Sequence, residues 1–277
     1  MIPMPAAYET LTESEWEQVL VVWELLESGE LERAHTGLAQ LQKSRGRHPD
    51  LRIVEAALAL EEGRPDLGLD ALKGAERSAD PAQFFHLRAL AHFDLIELEA
   101  AREDAARAIA VRPEHAEAHD LLSRVLELLG DAAGSAEHAE EARLLDPEVF
   151  HAPLAISDED FDAVVERCVR ELPERVRKEL GDVPVVVQPL PTRELLAGED
   201  RTLPPDLLGL FVGRPLMERS HADVPGLPGS IYLFRRNLLR ACADRDELER
   251  EIRITVQHEV GHLLGLDEDD LEEWGLA

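Results

Sequence analysis

The chain is poor in several things that define whole classes of protein. It carries only two cysteines, Cys168 and Cys242, in 277 residues. A disulfide-stapled secreted scaffold is therefore excluded, and reduced thiols in a cytoplasm are expected. Positive charge is scarce: 29 Lys and Arg face 58 Asp and Glu, a formal net charge of −29. That field repels phosphate backbones and anionic lipid surfaces, so neither nucleic acid nor membrane is expected as a partner. Apolar runs such as Val19–Trp23 and Val183–Val187 fall far short of the roughly 20 residues that span a bilayer. Met1–Thr10 has neither a basic nor a long apolar stretch, so no secretory signal is expected and the location expected is cytoplasmic. Aromatics amount to 4%, and Ala and Leu dominate the apolar set, which favours helices. There is no Gly-rich phosphate loop and no serine nucleophile elbow.

What is present is enough apolar residue, 44%, to build cores, in a chain long enough for two domains at roughly 150 residues each. The first half repeats itself. From Ala82, small residues and a proline fall at Ala89, Ala101, Ala105, Ala108 and Pro113; from Ala116, the same offsets hold Ser123, Ser135, Ala139, Ala142 and Pro147. Pro113 and Pro147 are 34 residues apart. Two looser units precede them. One runs from about Asp50 to Pro81 with Gly63-Arg64-Pro65-Asp66 as its turn. The other runs from about Glu15 to Pro49 with Gly29 at its turn, Ala34 opening its second helix and Arg45-Gly46-Arg47 inserted near its end. This period, with small residues where two helices approach, resembles the tetratricopeptide repeat. The resemblance implies an all-α solenoid over residues 1–150 whose concave face takes a peptide or protein partner, the competing reading being a spacer or a dimerisation module. Several histidines fall in helices of this region, among them His86, His92, His115 and His119; His115 and His119 are four apart and share a helix face, but Ala116 stands between them where a metallopeptidase helix has Glu, and no third ligand is evident.

Past Pro147 the register stops, and Glu148–Pro153 reads as a junction. Ser157 starts a helix with Phe161, Val164, Val165, Cys168, Val169 and Leu172 at helical spacing; a shorter helix follows Pro173 and ends at Gly181. Val183–Val187 and Ser230–Arg235 are strand candidates, and Leu203–Pro205 and Leu208–Gly213 are Pro- and Gly-punctuated segments between them. The last helix spans about Asp244 to Leu264, opened by an Asp244/Glu247 capping box and striped by Leu248, Ile252, Val256, Val260 and Leu263. Residues 151–277 are thus expected to form a small α+β domain.

Near the end of that helix stands His258-Glu259-Val260-Gly261-His262. Histidines four apart project from one helix face and can bring two nitrogens to one Zn²⁺, with Glu259 beside the open side of the metal as a base for an attacking water. Gly265 can turn the chain in a left-handed conformation, and Asp267, Glu268, Asp269 and Asp270 beyond it offer an oxygen ligand. The bland alternatives are a helix with two surface histidines and a solvated acidic tail.

The extended pattern His258-Glu259-x-x-His262-x-x-Gly265-x-x-Glu268 resembles the zincin motif. From about Ser157 onward, the chain resembles the small bacterial zincin-like (MMP-like) metallopeptidase domain. Leu207–Gly213, Arg219 and Leu227–Arg235 contribute to the likeness. The resemblance implies His258 and His262 as zinc ligands and Glu259 as general base. Glu268, where the family usually has Asp, is the expected third ligand, ahead of Asp269 or Asp267. It also implies that Ile231–Arg235, the strand before the active helix, pairs with an extended substrate as an upper rim; an ordinary packed strand is the other reading. Tyr232 is an oxyanion donor or a packed aromatic, His221 is an exposed loop residue, and both cysteines are small core residues. The expectation is therefore a zinc-dependent peptidase acting on peptide or protein substrates, with the repeats recruiting protein. The alternative is a protein-binding repeat scaffold carrying an inactive or structural-zinc zincin domain.

Overall fold

The computed structural model describes residues 10–76, 80–197, 203–213 and 229–266. The chain divides into two compact units, one built on Met1–Phe150 and the other on His151–Gly198 with Pro205–Ala277. Among the described residues, the first is helical and the second mixes helices with a three-stranded sheet. No helix among the described residues is long and apolar enough to cross a membrane.

The helical unit comprises α1 (Glu13–Glu27), α2 (Leu31–Arg45), α3 (Pro49–Glu61), α4 (Pro65–Leu72), α5 (Pro81–Asp94), α6 (Leu98–Val111), α7 (Ala116–Leu128) and α8 (Ala132–Leu145). Glycine or proline punctuates most of its joints. Gly29 and Gly63 take positive φ of 74° and 65° where α1 turns into α2 and α3 into α4, a conformation that costs a residue with a Cβ more than it costs glycine. Prolines open α3, α4 and α5 in the first turn, where their missing N–H has no helical acceptor. Thr12 and Glu15 form a reciprocal capping box at the start of α1. Glu15 also accepts both forks of Arg45 at 2.6 and 2.7 Å, tying the end of α2 to the start of α1. Each odd-numbered helix packs on its successor, and each pair packs on the next. The small residues sit where backbones approach: Ala34, Ala89, Ala101, Ala105 and Ala108 are fully buried. A Cβ on Gly37 would lie 2.8 Å from Val22 Cγ2, so α2 needs its glycine to close on α1.

The second unit contains α9 (Asp158–Arg170), α10 (Glu174–Leu180), β1 (Val185–Gln188), α11 (Arg193–Leu196), β2 (Gly209–Val212), β3 (Ser230–Phe234), α12 (Arg235–Ala241) and α13 (Arg245–Leu264). The strand order is β1-β3-β2. β3 runs parallel to β1 and antiparallel to β2, with Val187 and Gly209 both opposite Leu233. Alternation sends Ile231 and Leu233 into a core shared with Phe161, Val164, Ile252 and Val256, so α9 and α13 cover that face. α9 is tied to α13 through Arg167 and Glu249, and through the Cys168 thiol, which donates to the Glu249 carbonyl at 3.6 Å.

This topology decides between the two readings of Ile231–Arg235, against a substrate-pairing rim and for a packed strand. β3, the last strand before α13, is the central strand, with both its edges occupied by ladder bonds. It is a packed strand and has no edge to offer an extended substrate. The edge next to α13 belongs to β2, a strand that the Gly209 and Gly213 punctuation disguised as a connection.

Candidate metal centre

The site is built on α13, a helix of 20 residues, about 30 Å long at 1.5 Å per residue. Asp244 caps its start by accepting the Glu247 N–H at 2.8 Å, while the Glu247 carboxylate accepts the N–H of Ala243 at 2.7 Å, one residue before the cap. Leu248, Ile252, Val256, Val260 and Leu263 face the core, so the rotation of the helix is fixed along its length. At its other end Gly265 adopts φ 85° and ψ 24°, and the N–H of Leu266 returns to the Gly261 carbonyl at 3.1 Å. This left-handed stop ends the helix three residues past His262.

With the helix held this way, His258 and His262 are half-buried on one face, one turn apart. Their Nε2 atoms lie 3.0 Å from each other and their rings are nearly perpendicular, at 84°. Two nitrogens each about 2.0–2.1 Å from one tetrahedral zinc are separated by about 3.3 Å. Imidazole nitrogens converging at this spacing therefore fit a borderline divalent cation as readily as they fit a shared proton. Among the described residues, no group of three or more His, Cys, Asp or Glu side chains is arranged to hold a metal. Glu268, with the alternatives Asp267 and Asp269, lies outside the described residues, as do Arg219 and His221.

Glu259 is 6% exposed. A carboxylate this buried needs donors, and one comes from an unexpected direction: the Phe211 N–H of β2 donates to its Oε2 at 2.6 Å. The ladder explains why that N–H is available. Leu208 bonds Phe234 and Leu210 stands opposite Tyr232, so the N–H groups of Gly209 and Phe211 turn outward from the sheet, toward α13. The approach is close. A Cβ on Gly209 would lie 2.4 Å from Thr255 Cγ2, 3.2 Å from the Tyr232 carbonyl and 3.3 Å from Glu259 Cγ. Glycine is what lets the helix lie against the strand edge. Asn237 of α12, itself buried, donates to the carbonyls of Pro205 at 3.0 Å and Leu207 at 2.9 Å, fixing the chain as it enters β2.

The structure thus brings together His258, Glu259 and His262 and adds Phe211, Gly209, Thr255 and Asn237, which sequence reasoning had not assigned to the site. A glycine inside an otherwise apolar run, Leu207–Gly213, is the one signal that pointed there, since glycine in a strand often marks close backbone approach. Tyr232 alternates onto the sheet face opposite Ile231 and Leu233, away from α13, and so is placed apart from Glu259. Both cysteines are buried core residues; burial raises the Cys168 thiol and, with Glu251 and Glu247 behind it, lifts that of Cys242 to about 11. Neither has the lowered value of a nucleophile.

Residues 180–276 match the model of the Zincin-like metallopeptidase family. The matched span contains His258, Glu259, His262 and Glu268, and the match supports a zincin-like domain in the second unit. No curated protein matches the chain.

Proposed function

From the family match over 180–276 and the geometry of α13, we propose that the chain is a zinc-dependent peptidase. His258, His262 and Glu268 hold the metal, Glu259 is the general base, and the substrates are peptides or proteins. The catalytic domain is 151–277. Residues 1–150 form a tetratricopeptide-like repeat domain that recruits a protein partner, and the setting is cytoplasmic. The observation that carries the reading is the convergence of two Nε2 atoms at 3.0 Å beside a buried, backbone-held carboxylate.

Zinc, when bound, supplies a Lewis acid that polarises the scissile carbonyl and the attacking water. The chain's own residues supply the rest. Glu259 takes a proton from the water as it attacks and delivers it to the amine as the C–N bond breaks. The Phe211 N–H holds one carboxylate oxygen, so the orientation of Glu259 is set before substrate arrives. Core packing along α13 excludes water from the helix's inner face and keeps the two imidazoles in register.

A peptide-library digest with metal analysis tests this on wild type and Glu259→Gln. The expected result is zinc in both proteins and cleavage only by wild type. Zinc in both with cleavage by neither points to the repeat domain as the working part; no stoichiometric metal in either removes the mechanism.

A further inference from the structure

The helical unit contains a second pair of imidazoles with the same bite as the pair on α13. His119 of α7 and His138 of α8 face each other with Nδ1 atoms 3.0 Å apart and ring centroids separated by 5.1 Å. The matching separation on α13 is also 3.0 Å, between Nε2 atoms. His119 is buried at 7% exposure, and its other nitrogen lies 3.0 Å from the Pro113 carbonyl. A carbonyl can only accept, so His119 carries its proton on Nε2 and turns the Nδ1 lone pair toward His138. A backbone carbonyl on the far nitrogen is the arrangement that fixes tautomer and ring orientation in metal-ligating histidines. His115, four residues earlier, does not join this pair; it pairs instead with Glu117 at 2.9 Å and stacks on His86 at 4.8 Å.

The pair belongs to a polar seam. One turn along, Ser123 of α7 and Ser135 of α8 meet at 3.2 Å, so two successive contacts between these helices are polar where an apolar contact would pack. His138 is half-exposed, which opens the site to solvent and to an incoming ion. Glu141 and Glu137, on the same helix, lie close enough to bias the site toward a cation.

We infer that His119 and His138 form a second binding site for a borderline divalent transition metal, zinc in the first instance, which clips α7 to α8 through both Nδ1 atoms. Water completes the coordination, since no third His, Cys, Asp or Glu joins them among the described residues. Hard cations such as Mg²⁺ and Ca²⁺ are not expected there, because both donors are imidazoles. The inference is independent of the peptidase reading.

Zinc titration of the full chain against a chromophoric chelator tests it in four proteins: wild type, His138→Gln, His258→Gln/His262→Gln, and the triple variant. The double variant is expected to keep one zinc, and His138→Gln on that background to weaken it roughly tenfold or more. A double variant that binds no zinc, or whose zinc is indifferent to His138→Gln, overturns the inference. Nitrogen NMR of the unsubstituted protein guards against misfolded variants: zinc should shift the Nδ1 resonances of His119 and His138 together, and unmoved resonances overturn the inference equally.

Discussion

Replacing Gly209 with alanine puts a methyl group 2.4 Å from Thr255 Cγ2, about 1 Å inside ordinary van der Waals contact. The neighbours have little freedom to yield. Thr255 is only 7% exposed and is β-branched within a helix, so its side chain has just two χ1 rotamers to choose between in a packed setting. The next nearest atom, the Tyr232 carbonyl oxygen at 3.2 Å, belongs to the central strand. The remaining escape is for α13 to withdraw from the β2 edge, which stretches the 2.6 Å bond from the Phe211 N–H to Glu259. Overpacking of this kind costs about 1–3 kcal/mol, and we expect about 2 kcal/mol for Gly209→Ala. Urea unfolding, with hydrogen exchange at the Phe211 amide, reads both effects. Thr255→Ser deletes the clashing carbon and keeps the hydroxyl, so the loss from Gly209→Ala should shrink to below about 1 kcal/mol on that background. A neutral Gly209→Ala, or a loss that Thr255→Ser leaves unchanged, would refute the close packing of strand on helix.

Burial, then the neighbouring His115 ring, lowers His86 to about 4 from an ordinary value of 6.5. Between those values the unfolded chain binds a proton that the folded chain refuses, so stability is lost as pH falls from 6.5 toward 4. The loss is about 3 kcal/mol at 1.36 kcal/mol per pKa unit. His86→Gln should therefore flatten the acid dependence of unfolding over that window, and an unchanged slope would contradict the assignment. Asp104, 3% exposed, accepts both forks of Arg88 at 2.6 and 2.7 Å. Arg88→Met should cost about 3 kcal/mol in urea unfolding by stranding that carboxylate, with Arg107 offsetting part of the loss. Cys168 and Cys242 should resist alkylation at pH 8 until the chain unfolds; rapid labelling of either in the native protein would count against their burial.

Much of the helical unit was legible because its punctuation is local. Gly29 and Gly63 lie at turns that demand positive φ, and Pro49, Pro65 and Pro81 open helices, so the sequence marked those joints directly. α13 was legible for a similar reason, with Asp244 at one end, Gly265 at the other and a regular apolar stripe between. The sheet was harder to read. β2 spans four residues and begins with a glycine, and what makes that segment a strand is its ladder to β3 and its contact with α13, both set by residues distant in sequence. Once β2 is missed, β3 looks like an edge, which is why a substrate-pairing rim and a packed strand both stay open for Ile231–Arg235 until the ladder on its second side is seen. α12, Arg235–Ala241, was hidden for a related reason: Arg235 reads as the end of a strand, and the helix is recognised only when Asn237 is seen gripping Pro205 and Leu207. At the site, side chains announced themselves through their spacing, but the donor that holds Glu259 is a backbone N–H, and every residue except proline has one.

Diffraction at the zinc absorption edge from crystals of the intact chain addresses the central claim most directly. The account predicts an anomalous peak within bonding distance of Nε2 of both His258 and His262, with an oxygen of Glu268 completing the protein ligands and the Glu259 carboxylate outside the coordination sphere. Imidazoles turned apart with no peak between them, or a peak that engages Glu259 as a ligand and leaves no base, would contradict it.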